Sequence, residues 1–191
     1  MPAEEEESER LKSLARGLAE KAGLGEDEVK AVEIAASLLA VERLPVVDVL
    51  NKGGPLTPED RARIRQVGGI LADFAGQVEI LRLLGVPRLL EAYLWRFDGV
   101  GNPGGVSGEA IPAGARALAV AYHYNGMVSD RAYRKAFPRT RALAEIVRMS
   151  GTVLDPRLVE IFSAMAEEGR RSRKAHGANG GAGGTSDRSR T

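Results

Sequence analysis

The side chains best suited to catalysis or metal binding are few in this chain. It has two histidines and no cysteine among 191 residues. Without cysteine, the chain has no thiolate for a zinc site, an iron–sulfur cluster or a covalent nucleophile, and it has no disulfide. His123 has no second histidine within one helical turn, so we interpret it as a partly buried, hydrogen-bonded side chain, with a functional role as the alternative. The sequence therefore predicts no histidine-rich metal site.

A basic motif at residues 129–135, SDRAYRK, is a candidate for recognition of an anion. If the segment is helical, Arg131, Arg134 and Lys135 lie on one arc, and Asp130 caps the helix and pairs with Arg134. One interpretation is an internal network that fixes this helix to the adjoining glycine-rich loop at residues 98–108. The other is recognition of phosphate, since forked guanidinium groups bind it well. The spacing of the residues leaves both interpretations open.

A glycine-rich loop spans residues 98–108, DGVGNPGGVSG, with five glycines in eleven residues. Glycine tolerates positive φ angles and close backbone approach, so such a loop can wrap a ligand or a neighbouring helix. No Gly-Lys-Ser/Thr of a P-loop follows it, its Gly-x-Gly spacing does not open a helix after a strand, and it contains no Gly-x-Ser-x-Gly of serine hydrolases. We predict that Asp98 accepts hydrogen bonds inside this loop.

Helical periodicity runs through the chain outside these loops. Apolar residues recur at spacings of three and four, and the first such stripe is Leu11, Leu14, Ala15 and Leu18. The pairs Thr-Pro at residues 57–58 and Asp-Pro at residues 155–156 each place a capping side chain before a proline in the first turn. No segment alternates β-branched and polar residues as a strand does. The chain is therefore predicted to be all-α, with about eight or nine helices.

Charge is concentrated at the two ends, although the whole chain carries a formal charge of +1. Residues 1–7 are predicted to form an acidic extension, residues 8–167 one domain, and residues 168–191 a basic tail rich in glycine, arginine and serine. The tail has too little apolar surface to offset its ordering entropy, so we predict disorder, with weak contact to nucleic acid as an alternative role. No apolar run reaches the length of a membrane span, and the acidic start is unlike a signal peptide. These features predict a cytoplasmic protein.

Five loop motifs occur in a fixed order along the chain. They are residues 50–59, 97–103, 108–112, 129–136 and 150–156, which read LNKGGPLTPE, FDGVGNP, GEAIP, SDRAYRKA and SGTVLDP. In this order they resemble the HD-GYP family, a branch of the HD-domain phosphohydrolases, whose motifs are roughly LNKPGxLTxEE, WDGxGYP, GEEIP, SDRPYRKA and SGTxFDP. The resemblance covers about residues 8–167 and implies an all-helical HD bundle. Active members hydrolyse cyclic di-GMP at a centre of two or three metal ions, usually iron or manganese, held by His, Asp and Glu.

The positions that the resemblance assigns to metal ligands carry other residues here. The family's His-Asp pair falls on residues 39–40, or on 38–39 with a one-residue gap, its next histidine on residue 67, its His-His-Glu on 93–95, and its Asp-x-x-Asp on 122 and 125. The degenerate ligand positions are Leu39, Ala40, Val67, Tyr93, Leu94 and Tyr122. Aliphatic and aromatic side chains fill a metal cavity without holding an ion, so we expect Leu39, Val67, Leu94 and Trp95 to be buried. The tyrosine of the GYP motif is replaced by Asn102.

The resemblance and its departures together predict a catalytically inactive HD-GYP-like protein that is not an enzyme and has no catalytic residue, metal or other cofactor. It would act in bacteria as a signalling or protein-interaction module. The alternative is a metal-independent sensor of cyclic di-GMP or another nucleotide, and residual cyclic di-GMP phosphodiesterase activity is a third hypothesis. The resemblance implies a diguanylate cyclase or another signalling protein as the partner, or a second copy of the chain, and no membrane. The candidate ligand or partner surface is Asp98, Asn102, Arg131, Arg134 and Lys135, with Val100, Val106 and Tyr133 as apolar anchors.

Overall fold

Helix is the secondary structure of most of the described chain. The computed structural model describes residues 2–41, 57–130 and 134–179. Its α-helices are α1 Pro2–Lys21, α2 Glu26–Val41, α3 Pro58–Gly76, α4 Glu79–Leu83, α5 Val86–Ala92, α6 Ala113–Met127, α7 Arg139–Arg148 and α8 Pro156–Asn179. Two 3₁₀ turns, Pro103–Gly105 and Gly108–Ala110, lie between α5 and α6. The described ranges include an isolated β bridge between Ser150 and Leu154, and in them no helix is long and apolar enough to cross a bilayer. The all-α prediction is confirmed.

Local capping sets the starts of α3 and α8. The Oγ1 atom of Thr57 accepts a hydrogen bond from the Asp60 backbone N–H at 3.2 Å, and Asp60 Oδ2 accepts one from the Thr57 N–H at 2.8 Å. This capping box, with Pro58 in the first turn, begins α3 as predicted. Asp155 Oδ1 accepts from the N–H groups two and three residues later, at 2.8 and 3.3 Å, and so begins α8 in the same manner.

Helix α6 separates two apolar clusters. Most of its residues between 114 and 125 are buried. On one side Leu118 and Ala121 belong to an N-terminal cluster, built from buried residues of α1, α2, α3 and α5. On the other side Val120 and Tyr124 belong to a C-terminal cluster with α7 and α8. Because α6 is buried on both sides, its apolar residues are not confined to one stripe.

Gly114 allows α6 to pack closely on α2 and α5. A β-carbon at this position would lie 2.9 Å from Val32 Cγ2 and 3.2 Å from Leu89 Cδ2. Real β-carbons essentially never come as close as the first of these distances. The glycine is therefore required by packing rather than by a turn.

The first and last helices extend into the segments predicted to be terminal extensions. Helix α1 begins at Pro2, and Glu7 is only 8% exposed. Helix α8 continues to Asn179, past residue 168, where we predicted a disordered tail to begin, and residues 180–191 lie outside the described part. The reason is that Glu, Ala, Arg and Lys, which give these segments their charge, are also good helix formers. The limits of the three predicted segments stay predictions.

Candidate functional site

Most of the described degenerate ligand positions are buried, and they lie on or next to α2, α3, α5 and α6. Tyr93, which follows α5, is 1% exposed, and its ring meets the ring of Tyr122 edge-on with centroids 5.0 Å apart. Tyr93 also fills the space over Gly68, where a β-carbon would lie 3.0 Å from Tyr93 Cε1. Val67 is 4% exposed, and Leu39, in the same cluster as Tyr93, is 3% exposed. The predicted burial of Leu39 and Val67 is confirmed.

Leu94 and Trp95 are half-buried, not largely buried as we predicted. Both lie just beyond the end of α5 and pack against the N-terminal cluster with one side only. The guanidinium carbon of Arg88 lies 5.0 Å from the centroid of the Trp95 ring, in a cation–π contact. This edge of the central region therefore faces solvent. The side chain of Ala40 lies outside what the structure describes.

The side chains at this centre do not match an HD-type metal site. Iron and manganese are bound by carboxylate oxygens and imidazole nitrogens, whereas Leu39, Val67 and Leu94 offer hydrocarbon and the two tyrosines offer phenols. Within residues 2–41, 57–130 and 134–179, no group of three or more His, Cys, Asp or Glu side chains is placed to hold a metal ion. The residues described here therefore do not fit the metals that the resemblance implies.

Asn125, the second position of the family's Asp-x-x-Asp, ties α1 to α6. Its Oδ1 atom accepts a hydrogen bond from Arg10 Nε at 2.7 Å, and its Nδ2 donates to the Glu7 carbonyl at 3.2 Å. Arg10 Nη2 donates to Ser129 Oγ at 2.7 Å, and Ser129 donates in turn to the Asn125 carbonyl at 2.7 Å. Sequence reasoning missed this network, because Arg10 and Asn125 are 115 positions apart.

Asn102 holds the glycine-rich loop from inside. Its Oδ1 accepts from the Arg96 N–H at 2.8 Å, and its Nδ2 donates to the carbonyls of Arg96 and Val106 at 2.7 and 2.6 Å. Gly99 has φ +81°, and a β-carbon there would lie 2.7 Å from Ser107 Cβ, so this position needs glycine. Asn102, which replaces the family's tyrosine, therefore uses its side-chain hydrogen bonds to stabilise the loop itself.

Asp98 accepts hydrogen bonds inside the loop, as predicted. Its Oδ1 accepts from Arg96 Nε at 2.9 Å and from the Val100 N–H at 3.0 Å, and its other oxygen pairs with Arg96 Nη2. The Arg96 hydrogen bond, followed by that of Val100, lowers the pKa of Asp98. The Phe97 and Asp98 N–H groups also donate to the carbonyls of Val153 and Thr152, at 3.1 and 2.9 Å, which fixes the loop to the turn before α8.

Arg134 caps the end of α6. Its Nη1 donates to the carbonyls of Met127 and Lys135, at 3.1 and 2.9 Å, and its Nη2 donates to the Gly126 carbonyl at 3.0 Å. The same guanidinium lies 4.2 Å from the centroid of the Phe137 ring. These contacts favour an internal role over phosphate recognition at this residue, because its donors already bind carbonyl oxygens. They run to the end of α6 and to Lys135, and not to the glycine-rich loop as in the network that we considered.

The described part of the basic motif differs from the helix we considered, since residues 134–138 are not helical. Asp130 binds the Ala136 N–H at 2.7 Å and pairs with Lys135 at 3.4 Å, not with Arg134 as predicted. The side chain of Lys135 is 92% exposed. Arg131 and Tyr133 lie outside the described residues, so their predicted roles, and the adjacency of this motif to the glycine-rich loop, stay predictions.

His123 is half-buried and hydrogen-bonded, as predicted. Its Nδ1 lies 2.8 Å from the Ala119 carbonyl oxygen, and its ring meets that of Tyr122 edge-on with centroids 6.1 Å apart. Burial lowers the pKa of His123 from its ordinary value of 6.5. The side chain therefore serves the packing of α6.

Comparison with known proteins agrees with this architecture. A family model described as HD domain matches residues 1–158. The cyclic di-GMP phosphodiesterase response regulator RpfG of Xanthomonas campestris is 34% identical over 154 residues, 80% of this chain and 40% of that protein. A cyclic di-GMP phosphodiesterase of Thermotoga maritima is 32% identical over 164 residues, 84% of this chain and 44% of the relative. A cyclic di-GMP phosphodiesterase of Vibrio cholerae is 35% identical over 127 residues, 63% of this chain and 25% of the relative. The chain belongs to the HD-domain family and, within it, to the HD-GYP branch.

These relatives correct one prediction. We expected the chain not to be an enzyme, and this is wrong, because all three relatives bear the name of an enzyme, cyclic di-GMP phosphodiesterase. Loss of ligand residues at aligned positions was the whole basis of that expectation. The chain spans less than half the length of each of the three relatives.

Proposed function

We propose that this chain acts in cyclic di-GMP signalling as a domain that binds a protein partner. The observation that carries the proposal is the packing of Leu39, Val67, Tyr93 and Tyr122 at positions where the resemblance sets metal ligands. Such packing stabilises the bundle through apolar contacts. A bundle stabilised in this way presents a rigid surface for recognition. The names of the relatives support the link to cyclic di-GMP.

Exposed apolar side chains on the consecutive helices α3 and α4, here called the face of α3 and α4, support the binding of a protein. Ile70 and Phe74, one turn apart on α3, are each 55% exposed, and Ile80 and Leu83 on α4 are 60% and 69% exposed. Grouped apolar side chains on a surface mark interaction sites more often than single ones do. Large apolar anchors of this kind supply most of the affinity of a protein interface.

The anchors predicted from the sequence fare differently. Val100 in the glycine-rich loop is 67% exposed and stays a candidate. Val106 is half-buried and packs against the N-terminal cluster, which makes it a poor anchor. We therefore place the first contact at the face of α3 and α4, and the proposed partner is a second copy of the chain or a signalling protein such as a diguanylate cyclase.

Sedimentation velocity tests this proposal on the purified chain, alone and mixed with a purified diguanylate cyclase. We expect a complex in one of the two samples, and we expect Phe74→Glu to abolish it. Val147→Glu is the matched control, because Val147 is 51% exposed on α7, outside this face. The absence of a complex in both samples at roughly 100 μM would refute the proposal, because a regulatory interface needs a lower dissociation constant.

The names of the relatives favour a second candidate function, the hydrolysis of cyclic di-GMP. The test is chromatography of the products after incubation of the chain with cyclic di-GMP and either Fe²⁺ or Mn²⁺, with the Thermotoga maritima relative as the positive control. Turnover that rises in proportion to chain concentration would establish this function. Turnover that stays at the level of metal ions alone, while the relative is active, would exclude it.

A further inference from the structure

A cavity of about 500 Å³ lies at the opposite side of α6 from the central tyrosines, enclosed by α1, α6, α7 and α8. Its floor is the aromatic pair Tyr124 and Phe162, whose centroids are 5.0 Å apart. Leu14, Leu143 and Met165 continue the apolar wall. The volume and the apolar lining are typical of sites that bind a small molecule.

One buried polar group in this cavity lacks a partner. Tyr124 is 7% exposed, yet its phenol makes no hydrogen bond to any residue in the described ranges. Buried polar groups are nearly always hydrogen-bonded, and leaving one unpaired costs free energy. The neighbouring polar side chains on α6, Asn125 and Ser129, have their partners. The phenol of Tyr124 is therefore available to a bound molecule.

The rim of the cavity carries two arginines. Arg10 comes from α1 and Arg139 from α7. Two hydrogen bonds of Arg10 go to neutral acceptors, Asn125 and Ser129, so these bonds leave its charge uncompensated. Among the described residues that line the cavity, the one carboxylate is Glu167, which lies 3.8 Å from Arg171, and this arginine offsets its charge. The mouth of the cavity is thus suited to an anion.

We propose that this cavity binds an aromatic carboxylate. The ring would lie against Tyr124 and Phe162, and the carboxylate would pair with Arg10 and Arg139 and accept the hydrogen bond of the Tyr124 phenol. Edge-to-face aromatic contacts and charge-assisted hydrogen bonds would each add to the affinity. The site is separate from the central tyrosines and from the face of α3 and α4, so it does not depend on the function proposed above.

Isothermal titration of the full chain with 2-naphthoate tests the proposal, with 2-naphthamide as an uncharged analogue of the same shape. We expect 2-naphthoate to bind. The amide should bind at least about tenfold more weakly, because it lacks the charge-assisted hydrogen bonds. Arg139→Ala should weaken binding of 2-naphthoate by about tenfold. Arg148→Ala, which removes an exposed charge from the same helix but does not line the cavity, should leave it unchanged.

Tyr124→Phe separates a binding role from a structural one. Because the phenol has no partner among the described residues, this variant should keep the melting temperature of the free chain or raise it, and it should weaken binding of 2-naphthoate several-fold. A lower melting temperature would show that the hydroxyl is already bonded and would overturn the proposal. Equal affinities for the acid and the amide, or no heat of binding up to roughly 1 mM, would overturn it as well.

Discussion

Tyr93 shows how one side chain can take over a position that the resemblance assigns to a metal ligand. It is 1% exposed, its ring meets the ring of Tyr122, and it fills the space over Gly68. A side chain of this volume replaces ions and water by carbon contacts, and each such contact adds a small dispersion energy. The centre of the bundle is consequently a place where added polarity is costly.

Substitutions at Val67 and Leu39 should measure that cost. Val67→Asp and Leu39→His each bury an unpaired polar group, so each should lower the free energy of unfolding by at least about 2 kcal/mol. Urea denaturation gives the value. Val147→Asp, at a residue that is 51% exposed, serves as the control and should change it by no more than about 0.5 kcal/mol. If both buried variants unfolded at the same urea concentration as the parent, the region around Leu39 and Val67 would have to be open to water.

His123 should make the stability of the chain depend on pH. Burial lowers the pKa of His123 in the folded state from its ordinary 6.5, so below pH 6.5 the unfolded chain binds a proton that the folded chain does not. Stability should therefore fall as the pH is lowered from about 6.5 to the folded-state pKa. His123→Gln should reduce this fall and His176→Gln, at the other histidine, should not. Identical pH profiles of His123→Gln and the parent would show that His123 does not titrate differently on folding.

At the scale of elements, the glycine-rich loop and the segment after α6 are held by side chains that reach backbone carbonyls. Asn102 does this for the loop, and Arg134 does it for the last turn of α6. The final carbonyls of a helix have no partner within it, and a cation at that end also interacts favourably with the helix dipole. Arg134 thus stabilises α6 at the point where the chain leaves it.

Arg134→Ala should destabilise the fold by about 1–3 kcal/mol, because it removes three hydrogen bonds to backbone carbonyls and the cation–π contact with Phe137. Arg134→Lys should restore little of this, since an ammonium lacks the planar fork. Lys135→Ala, at a 92% exposed side chain, is the control and should be neutral. Thermal unfolding gives the comparison. An Arg134→Ala variant as stable as the parent that loses binding of cyclic di-GMP would instead identify Arg134 as a phosphate ligand.

Sequence patterns predict the elements that are decided locally. The starts of α3 and α8 follow from Thr57 and Asp155, because a cap and its N–H donors lie within three residues of each other. The contacts of Arg134 and Arg10 could not be predicted, since each depends on where a distant backbone or side chain comes to lie. The same holds for the cavity over Tyr124, which four helices enclose. Motif order predicted the family, whereas the expectation drawn from the ligand positions, that the chain is not an enzyme, is contradicted by the names of its relatives.

At the scale of the whole molecule, α6 joins the two apolar clusters into one unit. Leu118 faces the N-terminal cluster and Val120 the C-terminal cluster, two residues further along the same helix. Loss of α6 would expose both clusters at once. Helix α1 contributes to both clusters as well, through Ala15 and Leu18.

The chain should therefore unfold in a single cooperative transition. Trp95, the only tryptophan, packs against the N-terminal cluster and reports on it by fluorescence, whereas circular dichroism reports on all helices. The two transitions should coincide in urea. Gly114→Ala, which places a β-carbon 2.9 Å from Val32, should shift both midpoints together, with a loss of about 1–3 kcal/mol. A tryptophan signal that changes well before the helical signal would show that the clusters unfold separately.

The hydrogen bonds between Asn125 and α1 have a consequence for where the chain can be shortened. Asn125 is 5% exposed; its side-chain N–H₂ group donates to the Glu7 carbonyl, and its side-chain oxygen accepts from the Arg10 guanidinium. Trimming the acidic start up to Ser8, as its composition alone would recommend, removes the acceptor of a buried N–H₂ group. A minimal version of this domain should therefore keep the acidic segment through Glu7, because the backbone carbonyl of Glu7 is part of the interior.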